Sequence, residues 1–352
     1  MVRKIAVCSQ KGGVGKTTTS INLSAGLATL GYKVLLIDND SQANATTSCG
    51  IRQKDIRLSL YEILTKPGQN SEPVIRKCAL DLLWIIPASG NLASAEIELV
   101  KEMGRELILR EKMASIEDQY DFIIVDCTPG ISLLVLNALF FCEEIIIPIQ
   151  SQFLAFEGID QILHSINVIQ KRMRHSIRIT GILCTMYDRR TKLSSYILNE
   201  LSKLFREKLF SSVICVNTIL AEAPLQGKNI FEYAPKNNAA NDYRAFAQEI
   251  IHRGKKSWRE TYTIPNQLKA LATKKTFYET SNCEEQIFKD IIDKLKPLIA
   301  DVMSIQHSKP LKIEEKIDIQ TEVKQEPEPK PEKSTPKNNR HENDSEESNL
   351  WS

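Results

Sequence analysis

The segment Gln10-Lys11-Gly12-Gly13-Val14-Gly15-Lys16-Thr17-Thr18 carries the residues best suited to chemistry in this chain. Glycines 12, 13 and 15 let backbone N–H groups turn inward and cradle phosphate oxygens. The helix that such a loop opens adds its positive dipole end at the same place. In that setting the Lys16 ammonium reaches the β- and γ-phosphates of a nucleotide, and the Thr17 hydroxyl ligates Mg²⁺. The bland alternative is a glycine-rich turn from strand to helix. Gly-Lys-Thr-Thr directly after an apolar strand pattern favours the nucleotide.

A second candidate is Tyr120-Asp121-Phe122-Ile123-Ile124-Val125-Asp126-Cys127-Thr128-Pro129. Four apolar residues ending in aspartate form a buried strand that brings one carboxylate, Asp126, to the metal's outer shell. Such a pattern is weak in isolation and gains weight from following a phosphate loop. Asp121, ahead of the strand, reads as solvated.

These groups need a scaffold, and its period is legible. Short β-branched runs at Lys4–Ser9, Lys33–Asp38, Leu82–Pro87, Phe122–Asp126, Ile145–Ile149, Ile177–Thr185 and Val213–Val216 read as strands. Helical patterns lie between them at 17–30, 92–114, 131–141, 154–173, 192–209 and 239–252. Continuous apolar strands separated by helix-length segments predict an α/β fold, a doubly wound, mostly parallel sheet covered on both faces. Residues 1–252 then form one domain around the phosphate loop. Residues 253–308 read as a polar and amphipathic helical extension, with an apolar stripe at 287–303 interrupted by Pro297. The charged, proline-containing stretch 309–352 reads as a disordered tail.

Composition narrows the field. Of 352 residues, 46 are basic and 44 acidic, a net charge of +2 that excludes a protein coating nucleic acid by bulk charge. Its 8 Cys include no C-x-x-C pair, which argues against a zinc or iron–sulfur site and fits a reducing compartment. The phosphate loop starts too early to follow a signal peptide, and no apolar run is long enough to span a membrane. A cytoplasmic protein is expected.

The loop departs from the ordinary P-loop: Gln10 stands where the first glycine is usual, and Lys11 precedes the glycine pair. In this it resembles the deviant Walker A motif of the ParA/MinD family of ATPases. The resemblance implies ATP and Mg²⁺ as cofactors, and a homodimer in which Lys11 reaches the phosphates bound by the other subunit. Lys11, Lys16 and Asp40 would be catalytic, with Lys11, Gly12, Gly13, Val14, Gly15, Lys16, Thr17 and Thr18 around ATP. Leu35-Leu36-Ile37-Asp38-Asn39-Asp40-Ser41-Gln42 is similar to the family's D-x-D-P-Q, with Ser41 in place of proline. The resemblance makes Asp40 the residue that orients the attacking water and places Asp38, with Thr17 and Asp126, near the metal. Capping of a strand end is the plain alternative for both aspartates.

Later segments resemble the ParA/Soj partition branch: Gly181 to Thr191, Ala221 to Lys228, and Ile149 to Gly158, where Gln152 replaces an acid. That branch implies non-specific DNA binding by the ATP-bound dimer, a ParB-like partner that stimulates slow hydrolysis and release, and a nucleoid-associated location. Asn217 matches the residue that contacts adenine, and Arg190 matches an arginine used on DNA, with Arg189 beside it. Two further family arginines are Val216 and Ile219 here. Lys192, Lys203, Arg206, Lys208, Arg253, Lys255 and Lys256 are candidate substitutes, or simply solvated surface. A MinD-like membrane switch is the runner-up. The mixed charge on the polar face of the 287–303 stripe favours docking on protein over lipid. A ParA-like ATPase positioning a protein cargo is the third reading.

Overall fold

The computed structural model describes residues 2–152, 155–173, 175, 177–255 and 296–297, all within the unit Met1–Pro310. The chain runs β1 (Arg3–Val7), α1 (Lys16–Thr29), β2 (Val34–Asn39), α2 (Asn44–Ser48), α3 (Leu60–Thr65), β3 (Arg76–Lys77) and β4 (Leu83–Ile86). It continues through α4 (Leu92–Glu98), α5 (Ile108–Met113), β5 (Phe122–Cys127), α6 (Leu133–Phe141), β6 (Glu144–Gln150) and α7 (Ala155–Met173). The last described elements are β7 (Arg178–Tyr187), α8 (Lys192–Phe205), β8 (Leu209–Cys215), α9 (Ile219–Leu225), α10 (Ile230–Tyr233) and α11 (Asn238–Lys255). The expected stripe at 287–303, apart from 296–297, and the tail 309–352 lie outside the described residues.

The strands form one sheet in the order β3-β4-β2-β5-β1-β6-β7-β8, parallel except for the two-residue edge strand β3. Alternation decides the layers. Ile5, Val7, Val34, Leu36, Phe122 and Ile124 belong to the core shared with residues of α1 and α11. Their neighbours Ala6, Leu35, Ile37, Ile123 and Val125 belong to the opposite core, with residues of α3 to α8. A strand buried on both sides has no polar face to show. Each such side chain contributes roughly 2 kcal/mol through burial, so the central strands hold the sheet together. The expected doubly wound α/β fold is the one observed.

Two helices end sooner than their periodicity suggests. The pattern at 92–114 breaks into α4 and α5, because Gly104 takes a left-handed φ of 66° between them and Met103 is fully exposed. The pattern at 192–209 stops at Phe205, where Arg206 turns to φ 46°. The chain then enters β8 at Leu209, earlier than expected. Helices α2, α3, α9 and α10 are too short to leave a periodic signal.

Candidate functional site

The loop from Ser9 to Gly15 joins the end of β1 to the start of α1, in the middle of the sheet. Gly13 and Gly15 adopt φ of 73° and 84°, a conformation costly for any residue with a Cβ. A Cβ built on Gly12 or Gly13 meets nothing within 4 Å, so the loop is an open cradle. Gly15 caps α1 without a side-chain bond, which leaves the helix's first N–H groups aimed into the cradle. Neighbouring strand ends hold the loop: Thr185 Oγ1 donates to the Val14 carbonyl at 2.8 Å, and Gln150 Nε2 to the Gly13 carbonyl at 2.6 Å.

Lys16 is 6% exposed and donates from Nζ to the Lys11 carbonyl at 3.2 Å, folding its ammonium over the loop. Burial lowers its pKa, partly opposed by the charge of Asp126. Lys11 itself, with Ser9, Val14 and Gln150, lines a cavity between the loop and the end of β6. Thr17 and Thr18 are half-buried on the first turn of α1, where the Thr18 carbonyl accepts from Asn22 Nδ2 at 2.8 Å.

Behind the loop, Asp38 and Asp126 end β2 and β5. Asp126 Oδ1 accepts from Ser20 Oγ at 2.8 Å, while its buried Oδ2 has no protein partner. Burial, then the charge of Asp38, push the Asp126 pKa up to about 8 against the hydroxyls of Ser20 and Thr17. Asp38 Oδ2 accepts from the Thr46 hydroxyl at 2.6 Å and the Thr46 N–H at 2.8 Å, and burial raises its pKa to about 6. Asp40 is 9% exposed and accepts from the Gln42 N–H at 3.0 Å through Oδ1. Sequence reasoning missed Ser20, Thr46, Gln150 and Thr185. Ser20 sits one helical turn beyond Lys16, a spacing that could have suggested it.

An Mg²⁺ ion suits these residues. A buried carboxylate oxygen without a partner faces the side of the loop that carries Thr17, and two crowded carboxylates are relieved by a cation. No group of three or more Asp, Glu, His or Cys side chains able to hold a metal occurs among the described residues.

Away from the loop, Asn217 follows β8, half-buried, with its amide bonded to Asn237 Oδ1 at 2.7 Å. Arg190 is 85% exposed and forks onto Asp188, with Nε to Oδ1 at 3.0 Å and Nη2 to Oδ2 at 2.8 Å. Arg189 donates to the Cys215 sulfur at 3.3 Å. Two candidate surface cations prove to be interior. Arg253, 8% exposed, pairs with Glu249 at 2.9 Å and bonds the Thr180 and Leu209 carbonyls. Lys208, 6% exposed, bonds the Ile179 carbonyl at 3.1 Å. Both are buried against backbone carbonyls, so neither is exposed to meet a phosphate backbone. Lys256 and the Lys255 side chain lie outside the description.

Among the described residues no helix is long and apolar enough to cross a membrane. Residues 2–179 match a family described as AAA domain. Over 254 residues, 72% of this chain and the whole of the relative, the sequence is 41% identical to the sporulation initiation inhibitor protein Soj of Bacillus subtilis. It is 37% identical over 251 residues to the chromosome partitioning protein ParA of Myxococcus xanthus, covering 71% of this chain and 88% of that one. Among solved structures, cobyrinic acid a,c-diamide synthase from Mycobacterium smegmatis with bound ADP and magnesium is similar at a TM-score of 0.62 and 30% identity. That likeness covers 72% of this chain and 96% of the other.

Proposed function

The chain belongs to the Soj/ParA family of chromosome-partitioning ATPases, and we propose that it works as an ATP-switched dimer that partitions DNA. One observation carries the ATP site: a glycine cradle at a helix N-terminus, with Lys16 folded over it and the unpartnered Oδ2 of Asp126 behind it. ATP fills the cradle, its phosphates accepting from the N–H groups of residues 12–18 and from Lys16. Mg²⁺, held by the Thr17 hydroxyl with Asp126 and Asp38 behind it, supplies charge to the phosphate oxygens. Lys16 leaves the Lys11 carbonyl for the phosphates, exchanging one polar partner for a stronger, charged one. Asp40, just past the strand end, orients the water that attacks. Its loop is braced by its own bond to the Gln42 N–H.

Lys11, half-buried on the loop just ahead of Gly12, reaches phosphates held by a second copy. Dimerisation then depends on ATP being present. Among the described residues no arginine bonds to the loop Ser9–Thr18, in keeping with slow turnover that a ParB-like partner accelerates. Arg189 and Arg190 extend from the loop after β7 and present the cations for non-specific duplex binding. The cytoplasmic nucleoid is the location that follows.

Sedimentation of the full chain with a non-hydrolysable ATP analogue, with ADP, or with neither tests this, each with and without a DNA duplex. Dimer and duplex binding are expected with the analogue alone, equally on unrelated DNA sequences. If ATP leaves the oligomeric state unchanged, the switch is wrong. If the ATP dimer ignores every duplex at low salt, the cargo is a protein assembly or a membrane instead.

A further inference from the structure

We infer that Asn237 is a positioning residue that locks the amide of Asn217 in one orientation and so makes the site select adenine over guanine. The inference rests on the reading that Asn217 faces the base of the bound nucleotide. A free asparagine amide is nearly symmetric in shape but not in chemistry, since one end donates and the other accepts. Adenine offers a donor and an acceptor on its pairing edge, N6–H and N1. Guanine offers the reverse, O6 and N1–H. An amide free to flip serves either base about equally well.

Here it is not free. Asn217 Nδ2 donates to Asn237 Oδ1 at 2.7 Å, and Asn217 Oδ1 accepts from the Ile219 N–H at 3.1 Å. Asn237 Oδ1 is in turn fixed as an acceptor, because it also takes the Ala239 N–H at 2.9 Å at the start of α11. Flipping Asn217 would set oxygen against oxygen at Asn237 and N–H against N–H at Ile219. One N–H and one lone pair of Asn217 remain for a ligand, in a fixed order. The Ala239 N–H on α11, acting through Asn237, thus sets together with the Ile219 N–H the polarity shown to the base.

Serine at 237 keeps the cap on α11 but is too short to reach Asn217, whereas aspartate keeps both acceptor roles. The test measures the affinity of the full chain for MgATP and MgGTP in wild type, Asn237→Ser, Asn237→Thr, Asn237→Asp and Asn217→Ala, with melting temperature alongside. The expected result is a preference for ATP in wild type and Asn237→Asp. That preference should fall by about five- to tenfold in the serine and threonine variants, the worth of one lost hydrogen bond, with little change in melting temperature. If both capping variants keep the wild-type preference while Asn217→Ala loses it, the positioning role is overturned. If Asn217→Ala also keeps the preference, or wild type shows none, then Asn217 does not read the base and the inference falls with that premise.

Discussion

Asp38 and Asp126 are paired in register across the neighbouring parallel strands β2 and β5, and both are fully buried. Residues paired this way point to the same face of a sheet, so the two carboxylates crowd one another behind the phosphate loop. Val7, also in register with Asp126, ends the strand that leads into that loop. Two like charges in a dry site do not both ionise readily. Burial and mutual repulsion therefore favour a proton shared by the pair, which a cation would displace.

Both carboxylates have raised pKa values in the folded chain, chiefly through burial, to about 6 and about 8. Their contribution to stability is complete below the ordinary carboxylate range, about pH 4, and is lost as pH climbs through those values. The nucleotide-free, metal-free chain should thus resist urea better near pH 5 than near pH 8. Asp126→Asn should flatten that dependence, and an unchanged slope in the variant counts against the shared proton. Mg²⁺ must displace the same proton, so its affinity should rise over the same window.

Asp40→Ala should abolish ATP turnover while leaving ATP binding within about twofold, since the role proposed for Asp40 is to orient the water and not to hold the phosphates. The variant should accumulate as the ATP dimer. Hydrolysis at the wild-type rate would show that another group orients the water.

Lys11 and Lys16 should separate cleanly. Lys16→Ala should weaken ATP binding by at least about tenfold, the loss of a charge-assisted contact. Lys11→Ala should retain ATP affinity and lose ATP-dependent dimerisation, read by sedimentation. A Lys11 variant that dimerises and turns over normally removes the case for a shared site.

Arg190 engages Asp188 with three hydrogen bonds, two from its guanidinium and one from its backbone N–H, which hold that carboxyl down to about 2. On the proposed reading a DNA phosphate competes with this partner. Arg190→Ala should weaken duplex binding to the same degree on unrelated sequences and lower the salt slope by about one per subunit. Asp188→Ala should strengthen binding. Equal affinities in all three proteins would place the DNA contacts elsewhere.

Arg253 belongs to stability. It pairs with Glu249 and lies over the Phe210 ring at 4.1 Å. Arg253→Ala takes the guanidinium away from the buried Glu249, which also accepts from the Ser211 and Ser212 N–H groups at 2.9 Å. It should cost about 3 kcal/mol in urea unfolding. A loss of DNA binding at unchanged stability would reverse this assignment.

Short-range features were legible from residue types alone. The glycines of the phosphate loop, the apolar runs of β2 and β5 and their terminal aspartates are set by local backbone preference and by burial on both faces. The strand order was not legible: nothing local places β5 between β1 and β2, and that insertion is what brings Asp126 beside Asp38 and Thr17. The depth of a long side chain was equally hidden. Arg253 and Lys208 look like surface cations in a polar stretch, and only the packing of α11 and β8 against β7 shows that carbonyls and Glu249 enclose them. Asn217 meets Asn237 for the same reason, because α10 returns the chain so that α11 begins beside the end of β8. Sequence determines which groups can do chemistry here, since that follows from each residue and its near neighbours. Tertiary structure decides which of them meet, because pairing across the sheet and burial depend on residues far apart in the chain.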